Sequence, residues 1–240
     1  IEKTVTLENT FWVENTGKSS ATNIKLEIPL MADLDSPYQE IISESFSLQP
    51  LEIKNHSLGS RTAIFQVKEV TAGEKIPIQL TYHLKLKTLP DLKTLEPTIA
   101  KTTSLPAVDN SLYLASAKKI ESDNKLIVQT ADNIISKIPN KTDLQIAEAI
   151  YTSVHTMLKY DKNSPAKNRG ALAGLETGTG LCEEFASLFV ALARASGIPA
   201  RVVNGFATDK SPLLKNTGSS ITGFRHQWAE FYIAGLGWLP

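Results

Sequence analysis

Apolar and polar residues alternate along the first third of the chain. The longest alternating run covers Lys75–Lys87, where every second residue from Ile76 to Leu86 is apolar. Period two is typical of a strand with one buried face and one face in water. Shorter stretches of this kind, at 5–13, 24–30, 40–48 and 61–70, are separated by turn sequences. Several such strands predict an immunoglobulin-like β-sandwich over residues 1–88.

The alternation stops at Thr88. Residues 89–110 contain Pro90, Pro97 and Pro106 among threonines and lysines, and their apolar positions follow no period. Prolines at this density interrupt both helices and strands, so we expect a linker or a strap that lies across a surface.

Helical spacing replaces alternation in the second half of the chain. The pattern predicts a helix from about Asn124 to Ile138. Thr142 and Gln145 form a capping-box pattern that opens a second helix. The residues expected on the apolar side of that helix are Leu144, Ala147, Ile150, Tyr151, Val154 and Leu158. The segment 185–195 is apolar on nearly all sides, which predicts a buried helix.

Two further stretches, 200–208 and 224–233, have the character of strands and flank a long polar loop. His226 and Trp228 share one face of the second stretch because side chains on alternate residues point the same way. A turn and the start of a return strand follow. Strands, then helices, then strands again predict an α+β fold.

Composition indicates which partners, covalent links and metal sites this chain is not expected to have. The 240 residues carry 25 Lys and Arg against 25 Asp and Glu, and without a basic block nucleic acid is not an expected partner. No apolar run approaches the length of a membrane span. Cys182 is the only cysteine, so no intrachain disulfide can form, and no second cysteine or close histidine completes a metal site. We expect neither a metal nor a cofactor.

The single cysteine lies where a glycine-rich stretch enters the buried helix. Gly170, Gly174, Gly178 and Gly180 precede Cys182. The first turn of a helix has unpaired N–H groups and the positive end of the helix dipole, which favour a thiolate and supply donors for an oxyanion. The alternative is a buried, unreactive cysteine, which is the more common state of a lone cysteine.

Four short motifs occur in order around this cysteine. They are Gly180-Leu181-Cys182, the run Leu192–Arg201, the pentapeptide His226-Gln227-Trp228-Ala229-Glu230, and Gly237-Trp238. Together they resemble the transglutaminase-like superfamily, thiol enzymes with a papain-like core. The resemblance covers residues 111–240 and implies that Cys182 is the nucleophile and His226 its base. Bacterial members with a β-sandwich ahead of the core are similar too, which implies an extracytoplasmic or cell-envelope location.

The chemistry of a thiol and an imidazole agrees with this resemblance. A thiolate attacks an acyl carbon, and the imidazole accepts and returns the proton. The Cys182 amide is the expected oxyanion donor, and Tyr160 or Gly180 is a candidate for a second one. Trp228 either walls the cleft or packs against its strand. His155, beside the apolar side of the second helix, is expected to be a boundary residue.

We therefore predict thiol-dependent acyl transfer on peptide or glutamine amide bonds. The reaction is either hydrolysis, as in a protease or amidase, or transfer to an amine, and the substrate is a protein or peptide. The alternative is a non-catalytic binding or scaffold module with a degenerate core.

The family completes its triad with an Asp shortly after the Gly-Trp pair, and Pro240 comes before that position. Glu230 shares the face of His226, but four strand steps separate them by roughly 13 Å, too far for a hydrogen bond. The return strand is expected to place Leu239 and Pro240 only beside Tyr232 and Phe231. We therefore expect a truncated form of a longer protein, with an incomplete core, the orienting Asp beyond Pro240 and impaired activity.

Overall fold

The computed structural model describes residues 2–32, 38–56, 59–88, 111–139, 141–207 and 220–240. The chain divides into two compact units, Ile1–Leu95 and Glu96–Pro240. The linker predicted for residues 89–110 and residues 208–219 of the predicted polar loop lie outside the described residues.

The first unit contains two three-stranded antiparallel sheets. In one sheet β1 (Glu2–Glu14) and β3 (Gln39–Phe46) flank β6 (Lys75–Lys87), and in the other β2 (Ala21–Leu30) and β4 (Glu52–Asn55) flank β5 (Arg61–Val70). Five of these strands match the alternating stretches in the sequence. The fourth strand was missed because its four residues are too few to show a period.

One apolar core joins the two sheets of this unit. Phe65 of β5 and Ile78 and Leu80 of β6 are fully buried, and the ring of Phe46 meets that of Phe65 edge-on at 5.9 Å. The apolar side of the longest alternating run therefore faces inward, as predicted, and its polar side faces water. The unit is a β-sandwich held by burial of these side chains.

The second unit combines helices with short sheets. Its described helices are α1 (Ser111–Leu114), α2 (Lys125–Ile135), α3 (Asp143–Met157), α4 (Ala171–Thr177) and α5 (Cys182–Ala195). Its strands are β7 (Lys159–Tyr160) and β8 (Thr179–Gly180), which pair in parallel, and β9 (Ala200–Phe206), β10 (Arg225–Ile233) and β11 (Gly237–Leu239), which form an antiparallel sheet with β10 in the middle. The mixed helix and sheet composition confirms the α+β prediction.

Side-chain caps begin the helices α2 and α3. The Asn124 side chain accepts the Leu126 N–H, and the Thr142 hydroxyl accepts the Gln145 N–H at 3.3 Å. The reciprocal half of the predicted capping box does not form, because the Oε1 atom of Gln145 is buried without a partner among the described residues.

The α2 helix ends earlier than the pattern predicted. Its last residue is Ile135, whereas the apolar spacing extends to Ile138. The N–H groups of Lys137 and Ile138 bond to carbonyls three residues back, so the chain tightens into turns after Ile135.

The α5 helix is the centre of the core of the second unit. Leu188, Val190 and Leu192 are fully buried, and neighbours pack on it from α2, α3, α4 and the β9–β10 sheet. Gly197 follows in the left-handed conformation, with φ of 82°, and ends the helix as predicted. Within the described ranges, none of the helices has both the length and the apolar character needed to cross a bilayer.

Candidate functional site

Cys182 is the first residue of α5. Leu181 before it is extended, with φ of −103° and ψ of −171°, and the cysteine itself is partly buried. The structure thus places the thiol at the start of the most buried helix of the unit, three residues earlier than the apolar pattern alone begins.

The turn before the cysteine is held by Glu184. This carboxylate is fully buried, and its Oε2 atom accepts the Leu181 N–H at 3.0 Å. A Cβ atom at Gly180 would lie 2.5 Å from the Cβ of Glu184, so only glycine fits at that position. Glu184 was missed by sequence reasoning, although a Glu at the third helical position is a known capping signal.

The backbone amides of Leu181 and Cys182 differ in their hydrogen bonding. Glu184 engages the Leu181 N–H, whereas Cys182 is at the first helical position, where an N–H has no partner within the helix. The acids Glu183 and Glu184 occupy the first turn of α5, where they interact favourably with the helix dipole. Cys182 therefore lies in the same helix turn as two acidic side chains, which the glycine-rich pattern before it does not reveal.

Tyr160 lies beside the same turn. It pairs with Gly180 through the parallel β7–β8 ladder, in which Lys159 donates to Gly178 at 2.9 Å and Asp161 donates to Gly180 at 3.0 Å. The Tyr160 side chain is 56% exposed. The two candidates for a second oxyanion donor, Tyr160 and Gly180, therefore both lie next to the helix that carries the thiol.

The end of α5 is joined to the start of β9. Arg194 donates from Nε and Nη2 to the Ala200 carbonyl at 2.9 and 2.8 Å, and burial lowers the pKa of this guanidinium. The β9 strand then runs back along α5, and the antiparallel β10 begins where β9 ends.

His226 is the second residue of β10, lies opposite Gly205 of β9, and is exposed. The ring centroids of Phe231 and Phe189 lie 5.9 Å apart. Five strand steps back from Phe231 cover roughly 16 Å to His226, and seven helix steps back from Phe189 cover about 10 Å to Cys182. Both residues therefore lie toward the same end of the helix and sheet.

The His226 side chain does not lie on the face of β10 that packs against the helix of Cys182. Phe231 contacts α5, and strand alternation puts His226 on the opposite face, with Trp228 and Glu230. Among the residues that the structure describes, no hydrogen bond joins the Cys182 thiol to the His226 ring.

Trp228 packs against its own sheet. A Cβ atom at Gly205 would lie 2.6 Å from Cη2 of the indole, so the ring covers the backbone of β9 directly. This contact agrees with the packing alternative, and it places the indole beside His226 on the same face.

Glu230 forms a buried salt bridge with Arg201. The Arg201 Nε and Nη2 atoms lie 2.7 and 2.6 Å from one carboxylate oxygen, and the guanidinium lies 4.0 Å from the Trp238 ring centroid. Burial raises the pKa of Glu230 and lowers that of Arg201, and their contact stabilises both charges against that cost. Glu230 is therefore not available to orient His226.

The return strand is displaced by one residue from the expected register. Leu239 lies opposite Phe231, and Trp238 opposite Tyr232, so the expectation for Leu239 was wrong. The reason is that Gly237, with φ of 84°, already pairs with Ile233, which leaves three turn residues rather than four. No cluster of three His, Cys, Asp or Glu side chains within the described ranges could hold a metal ion.

Comparison with known proteins gives one relative for most of the chain and one for a shorter stretch of it. An uncharacterized protein of Haemophilus influenzae is 26% identical over 242 positions, which cover 93% of this chain and 64% of the relative. The protein YebA of Bacillus subtilis is 37% identical over 68 residues, which cover 27% of this chain and 9% of YebA. The chain thus spans less than two thirds of the length of either relative.

A crystal structure from Cytophaga hutchinsonii, named as a putative cysteine protease, superposes over 100% of this chain and 77% of its own, with a TM-score of 0.65 at 19% identity. This likeness shows that the fold is shared. The family model described as the transglutaminase-like superfamily matches residues 128–240, which include the thiol, the α5 helix and the β9–β11 sheet. Residues 128–240 thus match the transglutaminase-like superfamily, the family that the motifs around Cys182 resemble.

Proposed function

We propose that this protein carries out thiol-dependent acyl transfer on peptide or glutamine amide bonds, with Cys182 as nucleophile and His226 as base. The observation that carries the proposal is the position of Cys182 at the first residue of the buried helix α5, after a turn that Gly180 and Glu184 hold in place. A nucleophile on a rigid element, beside an unpaired amide, is the arrangement that acyl-transfer enzymes require.

The reaction would proceed in two halves. His226 accepts the thiol proton, the Cys182 sulfur attacks the carbonyl carbon, and the Cys182 amide donates to the oxygen as it becomes negative. The C–N bond then breaks, the amine leaves with the proton from His226, and a thioester remains on Cys182. Water in hydrolysis, or an amine in transfer, then attacks the thioester carbon and gives a proton to His226, the C–S bond breaks, and the proton returns to the Cys182 sulfur. We weight hydrolysis slightly above transfer.

The base has to be positioned for this sequence of steps. Proton transfer requires heavy atoms within about 3 Å, and such contacts are commonly longer in unliganded enzymes. His226 is exposed near the start of β10, which leaves its ring room to turn. We propose that an Asp beyond Pro240 orients it, as the family resemblance implies.

A non-catalytic module is the second candidate. The observation that favours it is the alternation of β10, which places His226 on the face opposite the one that packs on α5. In that case Cys182 is a packing residue, and the unit serves only to bind a partner.

Alkylation of Cys182 by iodoacetamide at a series of pH values distinguishes the two. For an acyl-transfer site, we expect rapid alkylation at pH 7 and a displacement of the rate profile to higher pH in His226→Ala. His83→Ala is the control, because it removes an exposed histidine of the first unit and should leave the profile unchanged. Cys182→Ser controls for reaction elsewhere.

A profile identical to that of a free cysteine, and unchanged by His226→Ala, would contradict the catalytic proposal. Activity itself is then assayed by release of ammonia or amine from glutamine-containing peptides, with and without an added primary amine. Product in water alone indicates hydrolysis, and product that requires the added amine indicates transfer.

Two finer structural points are also proposals. The two antiparallel sheets around one core support an immunoglobulin-like first unit, and the helix and sheet of the second unit support a papain-like core. An extracytoplasmic or cell-envelope location is proposed from the family resemblance. A protein or peptide substrate follows from the proposed chemistry.

A further inference from the structure

Four aromatic side chains form a continuous surface stripe beside the candidate nucleophile. We call Tyr151, His155, Phe185 and Tyr160 the aromatic stripe. The ring centroids of successive members lie 4.6, 5.7 and 6.4 Å apart. Rings at these separations are in contact, and together they offer one apolar surface rather than isolated side chains.

The stripe begins next to Cys182. Phe185 is three residues further along α5, so the two side chains are neighbours on the helix surface, with Cβ atoms roughly 5–6 Å apart. Tyr160 lies on β7 directly opposite Gly180, at the roughly 4.8 Å spacing of paired strands. The stripe thus borders the thiol from two elements and continues along α3 through His155 to Tyr151.

Packing within the unit does not account for the exposed rings. Tyr151 was expected among the apolar residues of α3, yet it is 59% exposed, and Tyr160 is 56% exposed. The core side of α3 is supplied instead by Ile146, Ile150 and Val154. Grouped aromatic rings that remain in water are typical of surfaces that bind a ligand, because their apolar area is left for a partner to bury.

We propose that the aromatic stripe is a substrate subsite that binds an aromatic or large aliphatic side chain next to the bond attacked by Cys182. Side chains on one side of an extended peptide recur about every 7 Å, somewhat wider than the 4.6–6.4 Å between successive ring centroids, so each apolar side chain of such a peptide would meet one or two rings of the stripe. This proposal rests on the proposed function of Cys182, since it names the substrate class of that site.

A pair of alkylating reagents tests the stripe separately from catalysis. The probes are N-benzyl-iodoacetamide and N-(2-methoxyethyl)-iodoacetamide, which carry the same reactive group and differ in aromatic character. Rates are measured at pH 9, where an ordinary thiol with a pKa of about 8.5 is mostly ionised whether or not His226 acts on it. The benzyl-to-methoxyethyl ratio is divided by the same ratio for N-acetylcysteine.

We expect this normalised ratio to exceed one. We also expect the rate of alkylation by the benzyl reagent to saturate as its concentration rises. Tyr160→Ala should lower the ratio about two- to tenfold, the range expected for one aromatic contact, and Tyr151→Ala should lower it less because Tyr151 is further from the thiol. Tyr160→Phe should retain it. Leu126→Ala, which removes a 41% exposed apolar side chain from α2, is the matched control.

A normalised ratio near one, or a high ratio unchanged by both alanine variants, would overturn the subsite. Either result leaves the pH profile of His226→Ala untouched, so failure of the stripe and failure of the catalytic proposal are distinguished. Both tyrosines are exposed, so the variants should fold, and thermal unfolding checks this.

Discussion

Replacing Glu230 by alanine is expected to destabilise the second unit by about 3–5 kcal/mol, because it leaves a buried guanidinium without its partner. The side chains of Arg201 and Glu230 are only 7% and 3% exposed. Their nitrogen–oxygen distances are 2.6 and 2.7 Å, and the guanidinium also lies against Trp238. The carboxylate therefore provides the guanidinium with a buried counter-charge that the alanine variant lacks.

The reasoning predicts a graded series. Glu230→Gln keeps one acceptor for Arg201 and should lose less than the alanine variant. The double replacement Arg201→Met with Glu230→Leu removes both charges, and a hydrophobic pair of similar volume is often neutral or stabilising relative to a buried ion pair. It should therefore recover most of the stability that Glu230→Ala loses.

Urea unfolding followed by tryptophan fluorescence measures the series. Trp12→Phe is used as the common background, because Trp12 belongs to the first unit and is 57% exposed, which leaves Trp228 and Trp238 as reporters of the β9–β11 sheet. The transition of the second unit is fitted by itself, since a chain of two units need not unfold in one step. A loss below about 1 kcal/mol for Glu230→Ala, as for an exposed pair, would refute the reasoning. So would a double variant as unstable as the single one.

Two glycine replacements probe the turn and the strand around the site. Gly180→Ala places a Cβ 2.5 Å from the Cβ of Glu184, so the backbone must shift. We expect a loss of about 1–3 kcal/mol in urea unfolding and slower alkylation of Cys182. Gly223→Ala, whose Cβ would meet nothing within 4 Å, is the control, and an equal loss there would contradict the packing argument. In Gly205→Ala the new Cβ would lie 2.6 Å from the far end of the Trp228 ring, which can move. We therefore expect a smaller stability loss than for Gly180→Ala and a changed fluorescence emission of Trp228. An unchanged spectrum would refute the contact.

Local pattern was sufficient to predict most elements. Alternation predicted β6 and its inward face, and the capping residues Asn124 and Thr142 marked the starts of α2 and α3, because these signals depend on residues close together in the chain. Where the pattern failed, a contact between distant residues decided the outcome. Tyr151 has the spacing of a core residue, but it is 59% exposed because the neighbouring elements pack on the side of α3 that carries Ile150 and Val154.

The candidate site was likewise predicted in part from local sequence and decided in part by contacts in the fold. The order of the motifs and the glycine-rich approach to Cys182 predicted the family, which the match over residues 128–240 confirms. The roles of Cys182 and His226 stay predictions. Sequence reasoning missed Glu184 and the partner of Glu230, since neither burial nor cross-strand register is visible in a local pattern.

The sequence by itself determined five of the six described strands of the first unit, the start signals of the main helices, and the resemblance to a family that residues 128–240 match. Tertiary structure alone decided that Glu184 is fully buried, that Arg201 forms a salt bridge with Glu230, and that four rings from three elements meet beside the thiol. The physical reason is range. Periodicity and caps arise within a few residues, whereas a salt bridge or an aromatic contact needs the fold to bring together side chains some 30 positions apart, as with His155 and Phe185.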